Sequence, residues 1–328
     1  MQGVDKMTWR CDMEEKQARE WDSSKWLSSF LDSTGMDEAG MDARRKECRK
    51  LIWEQTEALV ESGRYARADE LVGSYKVRAT TKRRYVRKED EKETSRGPHV
   101  INDDILSCAE RLCESGEKVA VINMACDSCP GGGVHRGAGA QEENLYRRSD
   151  MCARMREFRE LHYPLQGAAL VTSNVTLIRG REEDGYPFIR RGWQVTVVSC
   201  AAPKHPRLNE SGAYMDEVAE QPMRQSIRNL LAAVRHADCD TVLLSAFGCG
   251  AYRNPPDAVA RLFDEEMGRI NLKRVIFCIK EDHNSGCAWN PRGNYRPFKH
   301  RFPQNCCEHS WPGWYCSVCD RWIPRSSE

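Results

Sequence analysis

The sequence lacks any run of about 18 apolar residues, so no segment reads as a membrane-spanning helix. Its opening stretch, MQGVDKMTWRCDMEEKQARE, lacks the apolar core of a secretory signal. A charge imbalance is missing too: 50 Lys and Arg stand against 49 Asp and Glu, a net charge of +1. Bulk electrostatics therefore gives no argument for non-specific nucleic-acid binding. Both common phosphate-loop signatures are absent. No Gly-Lys-Ser/Thr follows the glycines, which excludes a Walker A loop, and the G-x-G-x-x-G spacing of a Rossmann fingerprint fails. These absences lead us to expect an intracellular setting, cytoplasmic or nuclear, and no membrane partner.

Cysteine, by contrast, is plentiful at 16 of 328 residues. Disulfide frameworks belong to small secreted domains, so most of these are expected as reduced thiols. Cys108, Cys113, Cys200, Cys239 and Cys278 lie in apolar or helical surroundings and read as small core residues. The last four, Cys306, Cys307, Cys316 and Cys319, are a separate case.

Residues 1–42 read as a poorly ordered extension, with Trp21 and Trp26 as docking contacts. From Ala43 the pattern is helical, closing on Gly63 as a glycine C-cap. Lys76–Arg96 is basic in its first half and acidic in its second, either a surface segment or a contact for a phosphate polymer. Short apolar runs then alternate with helices. The expected strands are Val119–Asn123, Ala168–Thr172, Trp193–Ala202, Thr241–Ala246 and Arg274–Lys280. The expected helices are Ile101–Glu114, about Ala140–Leu161, Gln221–His236 with Pro222 in its first turn, and Pro256–Met267. The polar segment Arg179–Arg191 reads as a lid or a surface excursion. Such alternation indicates an α/β domain with helices on both faces of its sheet. Ligands in such sheets gather beyond the carboxyl ends of the strands. Asn123, the glycines after it and Gly248–Tyr252 all lie at such ends and are expected to share a cleft.

Two loops carry chemistry. Pro130-Gly-Gly-Gly133 follows a strand and precedes a helix, so its amides suit phosphate or diphosphate. After seven intervening residues comes Gln141-Glu142-Glu143. Adjacent helical residues point about 100° apart, so the two acids are expected to divide their roles. One stays protonated as a general acid and the other stays ionised and positions a sugar, the needs of glycosidic cleavage. The second loop, Phe247-Gly-Cys-Gly-Ala-Tyr252, again offers amides, with Tyr252 as an aromatic face and Asn254 as a polar neighbour.

Gly131-Gly-Gly133, seven residues, then Gln141-Glu142-Glu143 resembles the signature of poly(ADP-ribose) glycohydrolases, closest to the shorter microbial type. Supporting blocks follow in the family's order: Asn123-Met-Ala125, Ser199-Cys-Ala-Ala-Pro203, Ser245–Pro255 and Asn294–Phe298. The resemblance covers about residues 43–300. It implies a macrodomain-like mixed sheet flanked by helices, and hydrolysis of ribose–ribose bonds in poly(ADP-ribose) without a catalytic cofactor. On matching positions it implies Glu143 as general acid and Glu142 as its positioning partner. It also implies Asn123 on the distal ribose, Gln141 in support, and Gly132 and Gly133 shaping the catalytic loop. Gly248, Cys249, Gly250 and Ala251 would wrap the diphosphate, with Tyr252 stacking. Cys126 and Cys129 depart from the pattern and read as plain substitutions rather than a C-x-x-C redox or metal pair. An ADP-ribose-binding reader and a mono-ADP-ribosyl hydrolase are the rival readings. Partners are expected to be poly(ADP-ribose) or ADP-ribosylated proteins.

Outside that resemblance, residues 301–328 hold Cys307, His309, Cys316 and Cys319 at zinc-compatible spacing, with Cys306 as the alternative first ligand. So short a module has too little core to fold without a metal staple. Such a module is also a place for a protein, polymer or nucleic-acid partner.

Overall fold

The computed structural model describes residues 21–63, 65, 75–77, 98–156, 163–165, 167–268, 272, 274–281, 286–287, 290–303, 314–316 and 321–323. In chain order these form α1 (Ser23–Leu31), α2 (Glu38–Ser62), β1 (Tyr75–Val77), β2 (His99–Ile101), α3 (Ile105–Glu114) and β3 (Val119–Met124). Next come α4 (Gln141–Arg148), α5 (Met151–Arg156), β4 (Ala169–Arg179), β5 (Phe188–Cys200), α6 (Glu217–Val234) and β6 (Thr241–Leu244). The last are α7 (Pro256–Met267), β7 (Arg274–Cys278), α8 (Tyr295–Arg301), β8 (Trp314–Cys316) and β9 (Arg321–Ile323).

One seven-stranded sheet has the order β1-β4-β5-β3-β6-β7-β2. From β5 to β2 all neighbours are parallel, with Asn123 in register with Ser199 and Leu244 with Phe277. The short turn from Gly180 to Pro187 joins β4 directly to its neighbour β5, which only antiparallel strands allow. The sheet is therefore mixed. A separate antiparallel pair, β8 and β9, places Trp314 opposite Ile323.

The chain divides into two compact units. The first holds residues 1–75, 125–164 and 172–195, the second residues 76–124, 165–171 and 196–328. In the first, Trp26, Phe30, Cys48, Ile52 and Tyr186 form a buried cluster, and the Trp26 ring stacks on Phe30 at 4.7 Å. In the second, the parallel strands are buried almost throughout, and Phe263, Phe277, Phe298 and Phe302 pack ring on ring. Both are ordinary consequences of apolar burial.

Several expectations change. Residues 21–42 are not a poorly ordered extension: Asp22 and Asp37 cap α1 and α2, and Trp26 is buried with its indole N–H on the Cys48 carbonyl at 3.0 Å. Aspartates at helix starts were the missed signal. Arg179–Arg191 is no lid. It holds the last residue of β4, the turn and the start of β5, with Tyr186 fully buried. His99–Ile101 is an edge strand, so α3 starts later than expected, capped by Asp104 on Ser107 N–H at 2.8 Å. Three residues cannot declare their period. The helix expected from Gln221 begins at Glu217, where Asp216 caps it, which puts Pro222 inside the helix. The carbonyl that Pro222 leaves without an intrahelical donor belongs to Val218, which is 72% exposed, so water can serve it. The expected helix Ala140–Leu161 is α4 and α5, parted at Ser149 and Asp150. Pro256–Met267 and the αL glycine cap at Gly63 stand as read.

Lys76–Arg96 lies outside the described residues except for the backbone of β1. The tail's Cys306, Cys307, His309 and Cys319 also lie outside them, and for Cys316 only the strand is described. No described helix is long and apolar enough to cross a membrane.

Candidate active site

The predicted site residues fall in both units, and each group is taken within its own. Gly132, Gly133, Gln141, Glu142 and Glu143 belong to the first, on the loop between β3 and α4 and on the first turn of α4. Ala140 caps α4 without a side-chain hydrogen bond, so the helix's free amides and positive end favour carboxylates there.

Glu142 is 3% exposed and fastens the loop to the helix. Its Oε2 accepts from Cys126 N–H at 2.7 Å and its Oε1 from Gly131 N–H at 3.0 Å. Both oxygens are thus engaged with backbone amides. Because the donor at position 126 is a main-chain amide, a cysteine there serves as well as any other residue. Eleven described cysteines, Cys126 and Cys129 among them, are free thiols. Among the described residues no group of three or more His, Cys, Asp or Glu is arranged to hold a metal.

Glu143 is 7% exposed and differs in a telling way. Its Oε1 accepts from Gly133 N–H at 2.8 Å, while Oε2 is buried and has no hydrogen-bond partner. A buried carboxyl with one oxygen fixed on an amide and the other unpaired leaves that second oxygen open to a ligand.

Between the acids lies Gly132. Its φ is +55°, and a Cβ there would stand 2.5 Å from Glu143 Oε1 and 3.0 Å from Glu142 Oε2. Any side chain would strike both carboxylates, so the glycine keeps open the face they present.

The second unit holds Asn123, Gly248–Tyr252 and Asn254. Asn123 is fully buried at the end of β3, its amide donating to Ser199 Oγ at 3.0 Å. The loop after β6 turns at Gly248, where φ is +73°. Cys249 is buried and burial pushes its thiol well above the usual range, so it stays neutral and leaves only its backbone for a ligand. Lys204 Nζ lies 5.0 Å from the Tyr252 ring centroid, and the Tyr252 carbonyl accepts from His205 N–H at 2.9 Å.

Asn254 was expected among the ligand contacts and sits differently. It is 1% exposed. Its Nδ2 donates to the Pro203 carbonyl at 2.8 Å and the Gly248 carbonyl at 3.0 Å, and its Oδ1 accepts from Tyr214 Oη at 3.0 Å. The side chain ties Pro203, Gly248 and Tyr214 together.

Sequence reasoning missed the supports of the acid loop. Arg147, one turn after Glu143, is fully buried and donates to the Ala138 carbonyl at 2.7 Å. The i, i+4 spacing from Glu143 was the available signal. Nothing in the sequence announced Tyr186, which receives Arg147 Nε at 2.9 Å.

The seven-stranded mixed sheet with its flanking helices is an α/β fold. Residues 52–173, which include the acid loop and its glutamates, match the family described as microbial-type PARG, catalytic domain. PARG is poly(ADP-ribose) glycohydrolase, the family whose signature the motifs resemble, and the matched segment is 122 of the 328 residues. No curated protein matches the chain. Among solved structures, poly(ADP-ribose) glycohydrolase from Thermomonospora curvata bound to the inhibitor ADP-HPD is similar, with a TM-score of 0.60 and 22% identity. The match covers 78% of this chain and 100% of that one. The enzyme from Deinococcus radiodurans in complex with ADP-ribose matches with a TM-score of 0.52 and 22% identity, covering 64% of this chain and 85% of that one. At such identities these likenesses bear on the fold.

Proposed function

We propose that the chain hydrolyses ribose–ribose O-glycosidic bonds of poly(ADP-ribose) and releases ADP-ribose, with Glu143 as the general acid. The observation that carries this reading is the asymmetry of Glu143: one oxygen on Gly133 N–H, the other buried and unpaired. The proton on Oε2 passes to the departing ribose hydroxyl oxygen as the bond to the anomeric carbon breaks. The sugar passes through an oxocarbenium-like state. Water adds to the anomeric carbon, and its proton returns to the Glu143 carboxylate. Glu142, with both oxygens held by amides, fastens the loop to the helix and orients the terminal ribose. Gln141 supports this turn and Asn123 takes the distal ribose. The backbone of Gly248, Cys249, Gly250 and Ala251 takes the diphosphate, Tyr252 stacks, and Asn254 shapes the loop. Ligands of the similar structures, ADP-HPD and ADP-ribose, support a pocket of this chemistry. No step calls on a metal or organic cofactor.

Purified polymer incubated with the full chain is expected to yield free ADP-ribose, read by chromatography. Binding of ADP-ribose without release would instead establish the reader. Release only from singly modified protein would establish the mono-ADP-ribosyl hydrolase.

For the tail, the spacing of Cys307, His309, Cys316 and Cys319 supports a structural zinc. One zinc per full chain is expected by metal analysis, and none after deletion of residues 301–328. A zinc-free full chain overturns it.

A further inference from the structure

We infer that Tyr186 is a positioning residue for the catalytic loop, acting at a distance through Arg147. This rests on the function proposed above. The Tyr186 hydroxyl accepts from Arg147 Nε at 2.9 Å and donates to Glu182 Oε2 at 2.7 Å. Arg49 grips Glu182 with two donors, Nε to Oε2 at 2.9 Å and Nη2 to Oε1 at 2.8 Å. At the other end Arg147 Nη1 holds the Ala138 carbonyl at 2.7 Å, three residues before α4 begins. A continuous polar line thus runs from α2, through the β4–β5 turn, to the end of the loop that carries Gly132 and Gly133.

Three further observations make this line more than ordinary packing. First, Tyr186 has φ +52°, a left-handed backbone that a bulky residue rarely adopts. That conformation turns the ring into the first unit's core, edge-on to Trp26 at 5.2 Å. Second, the middle of the line has no solvent to replace a missing member. Tyr186 and Arg147 are fully buried, and burial pushes the Tyr186 hydroxyl above its usual range, so it keeps its proton. Burial would raise the Glu182 carboxyl, but the Arg49 hydrogen bonds and charge outweigh it and hold the group below its usual range. Third, the loop is supported from α2 as well. A Cβ at Gly139 would stand 2.6 Å from the Arg49 guanidinium, and one at Gly137 would strike the Lys46 carbonyl.

The test is Tyr186→Phe in the full chain, which keeps the ring on Trp26 and removes only the hydroxyl. Amide hydrogen exchange across Gly131–Ala138 is expected to quicken about tenfold or more while exchange in β3 stays unchanged. On polymer, kcat should fall about tenfold to a hundredfold, the scale of a small misplacement of catalytic groups, with KM within twofold. Glu182→Gln should repeat this in weaker form, since an amide still accepts from one Arg49 donor. An unchanged kcat, whatever the exchange, would overturn the inference, as would unchanged exchange. If the wild type itself releases nothing from polymer, the proposed function fails, and loop exchange alone then decides whether Tyr186 positions the loop.

Discussion

Replacing Glu143 by Gln is expected to lower kcat for ADP-ribose release by about a hundredfold to ten-thousandfold, the range for losing a general acid. The affinity for ADP-ribose should change little. Gln matches Glu in shape, and its carbonyl oxygen can take the place of Oε1 on Gly133 N–H at 2.8 Å. Its NH2 then occupies the position of Oε2, which is buried and has no partner to lose. The fold is therefore untouched and the transferable proton is gone. Thermal unfolding should move by no more than a degree or two, on the order of a surface change. A variant that still releases ADP-ribose at a tenth of the wild-type rate would move the acid role away from Glu143. The same swap at Glu142 is no equivalent control. Both Glu142 oxygens accept from amides, Cys126 and Gly131, so an amide NH2 there must face one N–H donor with another. That change breaks the loop's fastening, and any loss of rate would mix geometry with chemistry.

How legible was the fold? The parallel strands were legible where they were long or wholly apolar. Val119–Met124 is such a run, buried on both faces, and its glycine loop follows at once. Pro256–Met267 was legible to the residue because Pro255-Pro256 marks a helix start sharply. The failures cluster where tertiary contacts decide. His99–Ile101 is a strand only because Ile276–Cys278 runs beside it. The segment Arg179–Arg191 looks solvent-loving in composition, with seven charged side chains in RGREEDGYPFIRR. In the fold Arg179 is fully buried, hydrogen-bonded to Thr56 Oγ1, Gln55 Oε1 and the Tyr186 carbonyl, with the Phe188 ring 4.0 Å away. Burial without a carboxylate partner lowers its guanidinium to about 9. No hydropathy reading puts such a residue inside.

The site was legible through residue types and blind to supports. The spacing from Gly133 to Gln141 was enough to single out Glu142 and Glu143, because only those two acids follow a triple glycine. It did not foretell which would be held by two amides and which by one. That difference comes from where Cys126 and Gly131 return past the helix start, a property of backbone path. For the same reason Asn254 was read as a ligand contact. An Asn beside a phosphate loop has the right chemistry for either part, and its three hydrogen bonds to Pro203, Gly248 and Tyr214 are long-range choices of the fold.

Gly248→Ala should weaken ADP-ribose binding at least about tenfold, or 1.4 kcal/mol, with the loss concentrated in affinity. Two independent strains converge at this residue. Its φ of +73° is costly for any L side chain. In addition, the new Cβ would stand 2.5 Å from Ala202 Cβ and 2.9 Å from Asn254 Nδ2. Ala202 has no rotamer to yield with, and Asn254 is fixed by Pro203 and Tyr214. The loop itself must shift, and with it the amides of Cys249, Gly250 and Ala251 that would face the diphosphate. Calorimetric titration with ADP-ribose checks the affinity, and ribose alone, which has no diphosphate, serves as the control ligand. Saturating polymer should restore most of kcat, because Glu143 and its amide partner Gly133 stand on a different loop. A dissociation constant within twofold of wild type would mean that the amides after β6 do not hold the diphosphate, whatever the fate of the acid at Glu143.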